Sequence, residues 1–327
     1  LFCFMSFAVI LVLGGGPEFT TIEVEIYRLS RISLDLEAAA SLALAGAVLT
    51  AALTYLYIRI QKRASTSLED TGQPVPLQNL GKTLPLQRVF LVFYIAVIVL
   101  LILGPLAAVL YRSFQSRAGW SGDLVFSIKP YLTLAESITA RSAVRNTLIF
   151  AAVSMLISVP AGLSAAYSAA RKKTVASDLT ETLFMLPMGV SAVVIGLGYY
   201  SISRAAPFLS DSRRVLIIFA HAVISLPFVV RTFTTGIRRI NTSLLQVART
   251  LGAGPLRVFA TIELPLLKSS IVSAAAFAFC ISAGEINAAL ILSDGKSATI
   301  PIAVYRLISS YNFFADACLR DGFLPDR

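Results

Sequence analysis

Three short groups of residues in this chain have the types and spacing to do chemistry. Gly295-Lys296-Ser297 matches the end of a phosphate-binding loop, in which glycine-rich backbone cradles phosphates and a lysine meets their charge. That loop also needs a glycine five residues before Gly295, and position 290 is Leu. The segment therefore reads as an external turn. So does Gly14-Gly15-Gly16, which runs into Pro17 with no strand-to-helix context. No ATP hydrolysis is expected of this chain, and no bound cofactor. Glu285, in FAFCISAGEINAAL, is the second candidate, because an ionisable side chain at membrane depth is a functional position by default. It follows Pro265 by 285 − 265 = 20 residues, about 30 Å along a helix, which brings it toward an interface. There the plainer role is capping or pairing with a neighbour, and the functional one is a translocation pathway or gate. His221, in FAHAVISLPF, is the third candidate. A lone histidine inside a span more often hydrogen-bonds a neighbouring helix than binds substrate. Cys3, Cys280 and Cys318 show no CxxC spacing and the chain has 1 His, so neither a disulfide framework nor a metal site is expected.

The elements that must hold these residues are membrane helices. The chain has 327 residues, 56% hydrophobic and 14% charged, with a mean hydropathy of +0.77. So much apolar surface has no soluble interior to fill, and runs of about 18 or more nearly uncharged residues read as transmembrane helices. Such runs lie near 36–59, 87–111, 146–170, 182–202, 215–235 and 266–291. The fold class is an all-α polytopic bundle with about 6 full spans plus a partial N-terminal one over 1–13. That first stretch has no initiator Met, basic leader or small-residue cleavage site, so it reads as the end of a span cut at its start rather than a signal peptide. Pro160, Pro187 and Pro227 fall inside spans and are expected to kink them. The net charge of +10 is spread beside the spans, which marks membrane-flanking Lys and Arg rather than a nucleic-acid surface. Alternating the spans divides the 28 Lys and Arg evenly, so charge alone leaves the orientation open.

The polar, Pro- and Gly-containing stretch 61–86 reads as a linker between two membrane parts. Those parts resemble each other. Thr21-Ile22 and Tyr27-Arg28-Leu29 recur at the same spacing as Thr299-Ile300 and Tyr305-Arg306-Leu307, 5 identities in 9 positions, after a span and a Gly- or Ser-containing loop in both copies. Duplication of a half-unit is the expectation, as in pseudo-symmetric transporters. Downstream the copies diverge: residues 317–327 form a polar tail where a closing span is expected, since Asp316, Arg320, Asp321 and Asp326 exclude one there. The closing helix is therefore expected to be missing from this chain.

Between two spans lies QVARTLGAGPLRVFATIELP, too polar to cross a bilayer yet carrying the marks of two short helices. Ser243-Leu244-Leu245-Gln246 fits a capping box. Leu244, Val247, Ala248 and Leu251 share one apolar face. Gly252 sits where a helix ends in the left-handed conformation. Gly254-Pro255 opens a second helix, and Leu264-Pro265 is expected to open the next span. The result is a rigid surface hairpin over 241–265. Arg249 and Arg257 lie on its polar surface, available to solvent, anionic lipid or an acidic partner.

The spacing of this hairpin resembles the cytoplasmic loop of ABC importer permeases, E-A-A-x3-G-x9-I-x-L-P. Here Gln246-Val247-Ala248, Gly252, Ile262, Leu264 and Pro265 stand in register, with Gln in place of the family Glu and Val in place of its first Ala. The resemblance implies a coupling helix, with Gln246, Val247, Ala248, Arg249, Gly252, Ala253, Ile262, Leu264 and Pro265 at the contact with a cytoplasmic ATPase. It implies two ATPase subunits, where ATP acts, and an extracytoplasmic solute-binding protein as partners, a lipid environment, no nucleic acid, and a multi-pass location in the cell (inner) membrane. It also implies the domain plan: 1–60 as the end of a first permease half, 61–86 as a cytoplasmic linker, 87–316 as the second half. Among importers, SFAVILVLGGGPEFTTIEVEIYRL and AGEINAAL…TIPIAVYRL look most like the thiamine and ferric-iron permeases. The expected activity is transport of such a solute into the cytoplasm, not catalysis. An ion-coupled secondary transporter is the alternative, although only Glu285 offers an intramembrane carboxylate for it. A membrane enzyme finds no cluster of His, Asp or Ser to work with.

Overall fold

A computed structural model of the chain describes residues 7, 10, 11, 20–65, 85–118, 123–171, 175–206 and 212–309. The glycine turn at 14–16, most of the expected linker (66–84) and the tail over 317–327 lie outside these residues, as do Cys3 and Cys318.

Helices dominate. In chain order they are α1 (Ile22–Tyr27, continued by a π turn over Arg28–Ile32), α2 (Leu36–Ser65), α3 (Pro85–Ser113), α4 (Lys129–Glu136), α5 (Ile138–Arg171), α6 (Val175–Met185), α7 (Ala192–Ala205), α8 (Arg213–Arg239), α9 (Thr242–Thr250), α10 (Pro255–Val258), α11 (Leu264–Leu266), α12 (Lys268–Gly284), α13 (Asn287–Leu292) and α14 (Ile300–Ser309). A two-stranded antiparallel hairpin, β1 (Gln115–Ala118) and β2 (Asp123–Phe126), precedes α4. The described residues form two compact units, one drawn from 1–58 and 142–327, the other from 59–141. α1 and the first part of α2 share a unit with the described residues from Ser142 onward.

The span count needs correcting. Among the described residues, three helices are long and apolar enough to cross a membrane alone, within α3, α5 and α8. Two helix pairs are long and apolar enough only when taken together, and each is bent at a short break. Thr182–Gly189 and Ala192–Ala205 meet at 105°, and Pro255–Leu266 and Lys268–Gly284 at 70°. At the first break the chain tightens into a 3-10 turn over Leu186–Gly189 with Pro187 near its start, and Ser191 then caps α7 by accepting from the Val193 amide (3.2 Å). Pro187 thus breaks its span, whereas α5 and α8 run uninterrupted through Pro160 and Pro227. The expected span 36–59 is part of α2, described as apolar over Leu36–Thr50. The expected span 266–291 ends early: α12 stops at Gly284, and α13 is a separate helix.

Two apolar clusters hold the larger unit. One gathers Ile26, Ala39, Phe150, Leu197, Ile217, Ile291 and Ile302; the other gathers Ala166, Val229, Phe233, Ile237, Leu245, Val258 and Ala274. Small residues allow close helix approach where lipid offers no hydrophobic drive. A Cβ on Gly196 of α7 would lie 2.8 Å from the Ala288 Cα of α13, so only glycine fits this crossing. Polar side chains tie loops to helices. Asn146 Nδ2 donates to the carbonyls of Lys296 (3.1 Å) and Ala298 (3.0 Å), the Ile300 amide donates to Thr147 Oγ1 (2.8 Å), and Arg31 donates to the Ser293 carbonyl (2.8 Å). Tyr27 and Tyr305, equivalent positions of the recurring motif, lie near each other.

In the smaller unit, α3 exposes apolar side chains on every face, from Phe90 and Phe93 to Leu106 and Val109. Such a helix is built for lipid or for packing against another apolar surface. Phe114 stacks on Phe126 with centroids 5.4 Å apart, which closes the strand hairpin.

Candidate functional site

The hairpin over 241–265 forms, with local differences from expectation. Its cap is Asn241, whose side chain accepts from the Ser243 amide (3.0 Å), and α9 starts at Thr242. The capping box expected at Ser243 is therefore absent, because Ser243 already lies inside the first turn. The far end of α9 closes as a Schellman motif: the Gly252 amide donates to the Arg249 carbonyl and the Ala253 amide to the Ala248 carbonyl, both at 3.0 Å. Gly252 has φ +84°, as expected, and nothing lies within 4 Å of where its Cβ would sit. Backbone conformation, not crowding, requires glycine there. Gly254 precedes Pro255 at the first position of α10. Leu264-Pro265 does not open the next span: the helix continues to Leu266 and bends at Leu267 before α12.

The side chains divide the hairpin differently from the expected apolar face. Leu245 and Val258 are the buried anchors, packed into the cluster with Phe233 and Ile237. Ala248, Ala253 and Ile262 are half-buried against the same cluster. Gln246, Val247, Arg249, Leu264 and Pro265 are exposed. Leu251 is 81% and Leu256 84% exposed, so the rim of the hairpin is apolar and uncovered. Arg231, Arg238, Arg239, Arg249, Arg257 and Lys268 are exposed around it. A groove of about 810 Å³ runs alongside, lined by Arg231, Thr235, Arg239, Leu244, Ser270 and Phe277 among others.

What fixes the hairpin to the membrane unit was not singled out from sequence. Glu263, 2% exposed and lying between Ile262 and Leu264, accepts from Arg171 (2.9 Å) and from the Tyr167 hydroxyl (3.0 Å). Tyr167 and Arg171 lie one turn apart near the end of α5. The signal was available: Glu263 is the only acidic residue between Ser212 and Gly284. An isolated acid among so many cations has reason to be paired.

The other candidates lie elsewhere. Glu285 follows α12, and its Oε1 accepts from the amides of Asn287 (2.6 Å) and Ala288 (3.1 Å), capping α13. His221 is wholly buried, with Nδ1 2.8 Å from Ser282 Oγ, a bond between α8 and α12; its Nε2 has no partner among the described residues. Gly295-Lys296-Ser297 is a turn closed by Asp294, whose Oδ1 accepts from the Lys296 amide (3.1 Å). Burial pushes the Asp294 carboxyl up, but hydrogen bonds from the Ser297 side chain and the Lys296 and Ser297 amides outweigh it and hold the group below the ordinary carboxylate range. No group of three or more His, Cys, Asp or Glu suited to a metal occurs among the described residues.

These features define a class: an all-α, multi-pass membrane protein that carries a rigid hairpin with an uncovered apolar rim at one end of its bundle. The comparisons with known proteins make the class specific. Residues 158–316 match the family described as binding-protein-dependent transport system inner membrane component, and that segment includes the whole hairpin. The chain is 26% identical over 314 residues to the thiamine transport system permease protein ThiP of Escherichia coli, covering 95% of this chain and 56% of that protein. The ThiP of Brucella abortus is 27% identical over 326 residues, covering 98% of this chain and 56% of that protein. PhnV of Salmonella paratyphi A, a permease protein whose name assigns it to 2-aminoethylphosphonate transport, is 26% identical over 217 residues, 66% of this chain and 81% of that protein. Residues 158–316 thus resemble permease domains of the binding-protein-dependent importer type, and the chain as a whole resembles the thiamine-type permeases. It spans about 56% of the length of the ThiP relatives it matches.

Proposed function

We propose that this chain is a permease subunit that passes a small solute inward across the cell membrane, moved by a separate ATPase that grips the 241–265 hairpin from the cytoplasm. The observation that carries the reading is the contrast within the hairpin. It is anchored by the buried Glu263–Arg171 pair and by Leu245, yet it leaves Leu251 and Leu256 more than 80% exposed. Exposed apolar side chains on a rigid, water-facing element mark a protein-binding surface. Gln246, Val247, Arg249, Leu264 and Pro265 share that exposure and form the proposed contact, with Ala248, Gly252, Ala253 and Ile262 supporting its shape.

The names of the ThiP relatives favour thiamine as cargo, delivered by an extracytoplasmic binding protein; ferric iron is the second candidate from the sequence resemblance. Two ATPase copies fit a duplicated permease, and the nearness of Tyr27 to Tyr305 supports duplication, since equivalent residues of two repeats meet at a pseudo-two-fold axis. Glu285 and His221 have local partners in α13 and α12, which favours a structural over a pathway role for both. The test is coupled uptake. Gly252→Val, in a full assembly with ATPase and binding protein, is expected to retain membrane insertion and ATP hydrolysis while losing solute uptake. Undiminished uptake, or uptake that survives ATP depletion and collapses with an ionophore, overturns the proposal in favour of an ion-coupled carrier.

A further inference from the structure

A polar cavity, lined by residues other than those of the hairpin groove, is left unused by the transport machinery described above. About 310 Å³ in volume, it lies among α1, α2 and the start of α7, and its polar lining includes Thr21, Glu23 and Ser191. Glu23 is 7% exposed, and its Oε2 has no hydrogen-bond partner among the described residues; neither has Thr21 Oγ1. The Ser191 side chain lies near the same carboxyl and lines the same cavity. Among the described residues, no Lys or Arg lines the cavity. Arg28, the basic residue nearest in sequence, is paired with Glu25 instead.

A carboxylate withdrawn from water without a counter-charge is strongly unfavourable, and a protein that keeps one has a cation to meet it or a neutral acid to spare. Here Thr21 and Glu23 line a common space, and that space has the size of a ligand. It equals roughly ten waters at ~30 Å³ each and falls at the lower bound of small-molecule sites, roughly 300 Å³. A bare metal ion would leave most of it empty.

We propose that this cavity is a binding site for a small organic cation, with the positive group against Glu23 and hydroxyl or amino groups on Thr21 and Ser191. The proposal deepens the permease reading and rests on it for the sense of transport, but not for binding. It selects between the two cargoes named by the relatives: thiamine carries a fixed positive charge, whereas the phosphonate of 2-aminoethylphosphonate would be repelled by Glu23.

Thermal unfolding of the full chain in lipid nanodiscs tests the site without any ATPase, so its outcome is separate from that of coupled uptake. Thiamine in the millimolar range is expected to raise Tm by a few degrees, choline by less, and 2-aminoethylphosphonate or added sodium not at all. Glu23→Gln is expected to abolish the thiamine shift while leaving the ligand-free Tm unchanged or higher, because the amide removes an unpaired charge. Thr21→Val, a milder change, is expected to weaken thiamine binding several-fold. The proposal fails if thiamine gives no shift, if sodium or 2-aminoethylphosphonate gives an equal one, or if Glu23→Gln keeps the shift. It also fails if that variant lowers the ligand-free Tm, or if Thr21→Val binds like the parent.

Discussion

The two ends of α12 solve opposite problems. At the Lys268 end the chain builds a hairpin with full local order, from the Asn241 cap to the Schellman closure at Gly252, and then leaves its rim of Val247, Leu251 and Leu256 uncovered. Beyond the Gly284 end the chain buries polar groups instead: Ser293, Ser297 and Thr299 are each under 3% exposed, and nearby Glu23 lacks a counter-charge. Exposed apolar area on a stiff element is satisfied by a macromolecule that can cover it, while a buried unpaired charge in a small cavity is satisfied by a small ligand. The difference separates what the molecule offers to a protein from what it offers to a solute.

The comparison can be broken at several points. The largest effect is expected at the anchor. Glu263→Ala strands Arg171 in a largely buried setting, and loss of one member of a buried pair costs about 3–5 kcal/mol; a fall in Tm of several degrees should follow, with the Arg171→Ala, Glu263→Ala double variant recovering part of it. An unchanged Tm would mean the hairpin stands without its anchor. Next comes Gly252→Val, which forces a β-branched residue to a φ of +84° and is expected to cost about 1–2 kcal/mol, read by the same unfolding assay. Asn241→Ala should cost about 1 kcal/mol as loss of a cap, whereas Ser243→Ala should cost almost nothing; equal effects would restore the capping box. The smallest stability change is expected on the rim. Leu251→Ser with Leu256→Ser should stay within about 0.5 kcal/mol per site and yet prevent co-purification of the ATPase. Retained co-purification would show the apolar rim to be irrelevant to docking.

Much of this was legible in the residues. Apolar runs gave the membrane helices α3, α5 and α8, because the length needed to cross a bilayer leaves little freedom. Gly252 and Gly254-Pro255 marked the end of one hairpin helix and the start of the next, since turn chemistry is local. The identity of the cap was not so legible: Asn241 and Ser243 are both good caps two residues apart, and the preceding extended backbone at Ile240 and Asn241 selects the first. The break at Gly189–Ser191 was hidden inside a run apolar enough to pass as a single span, whereas the bend at Leu267 falls at the start of an expected span. Pro187 looked no different in sequence from Pro160 and Pro227, yet it alone sits at a break, because a 3-10 turn and a capping serine follow it.

The sequence by itself determined that this is a membrane bundle with a two-part hairpin of permease spacing, because hydropathy, glycine and proline act over a few residues. Only the tertiary structure decided which hairpin face is covered, that Glu263 closes on Arg171 and Tyr167 from a helix some 90 residues earlier, and that Glu23 faces a cavity with Ser191. Pairing and burial depend on which distant segments meet, and nothing in the local spacing of Glu23 or Glu263 distinguishes the acid that finds an arginine from the one that does not.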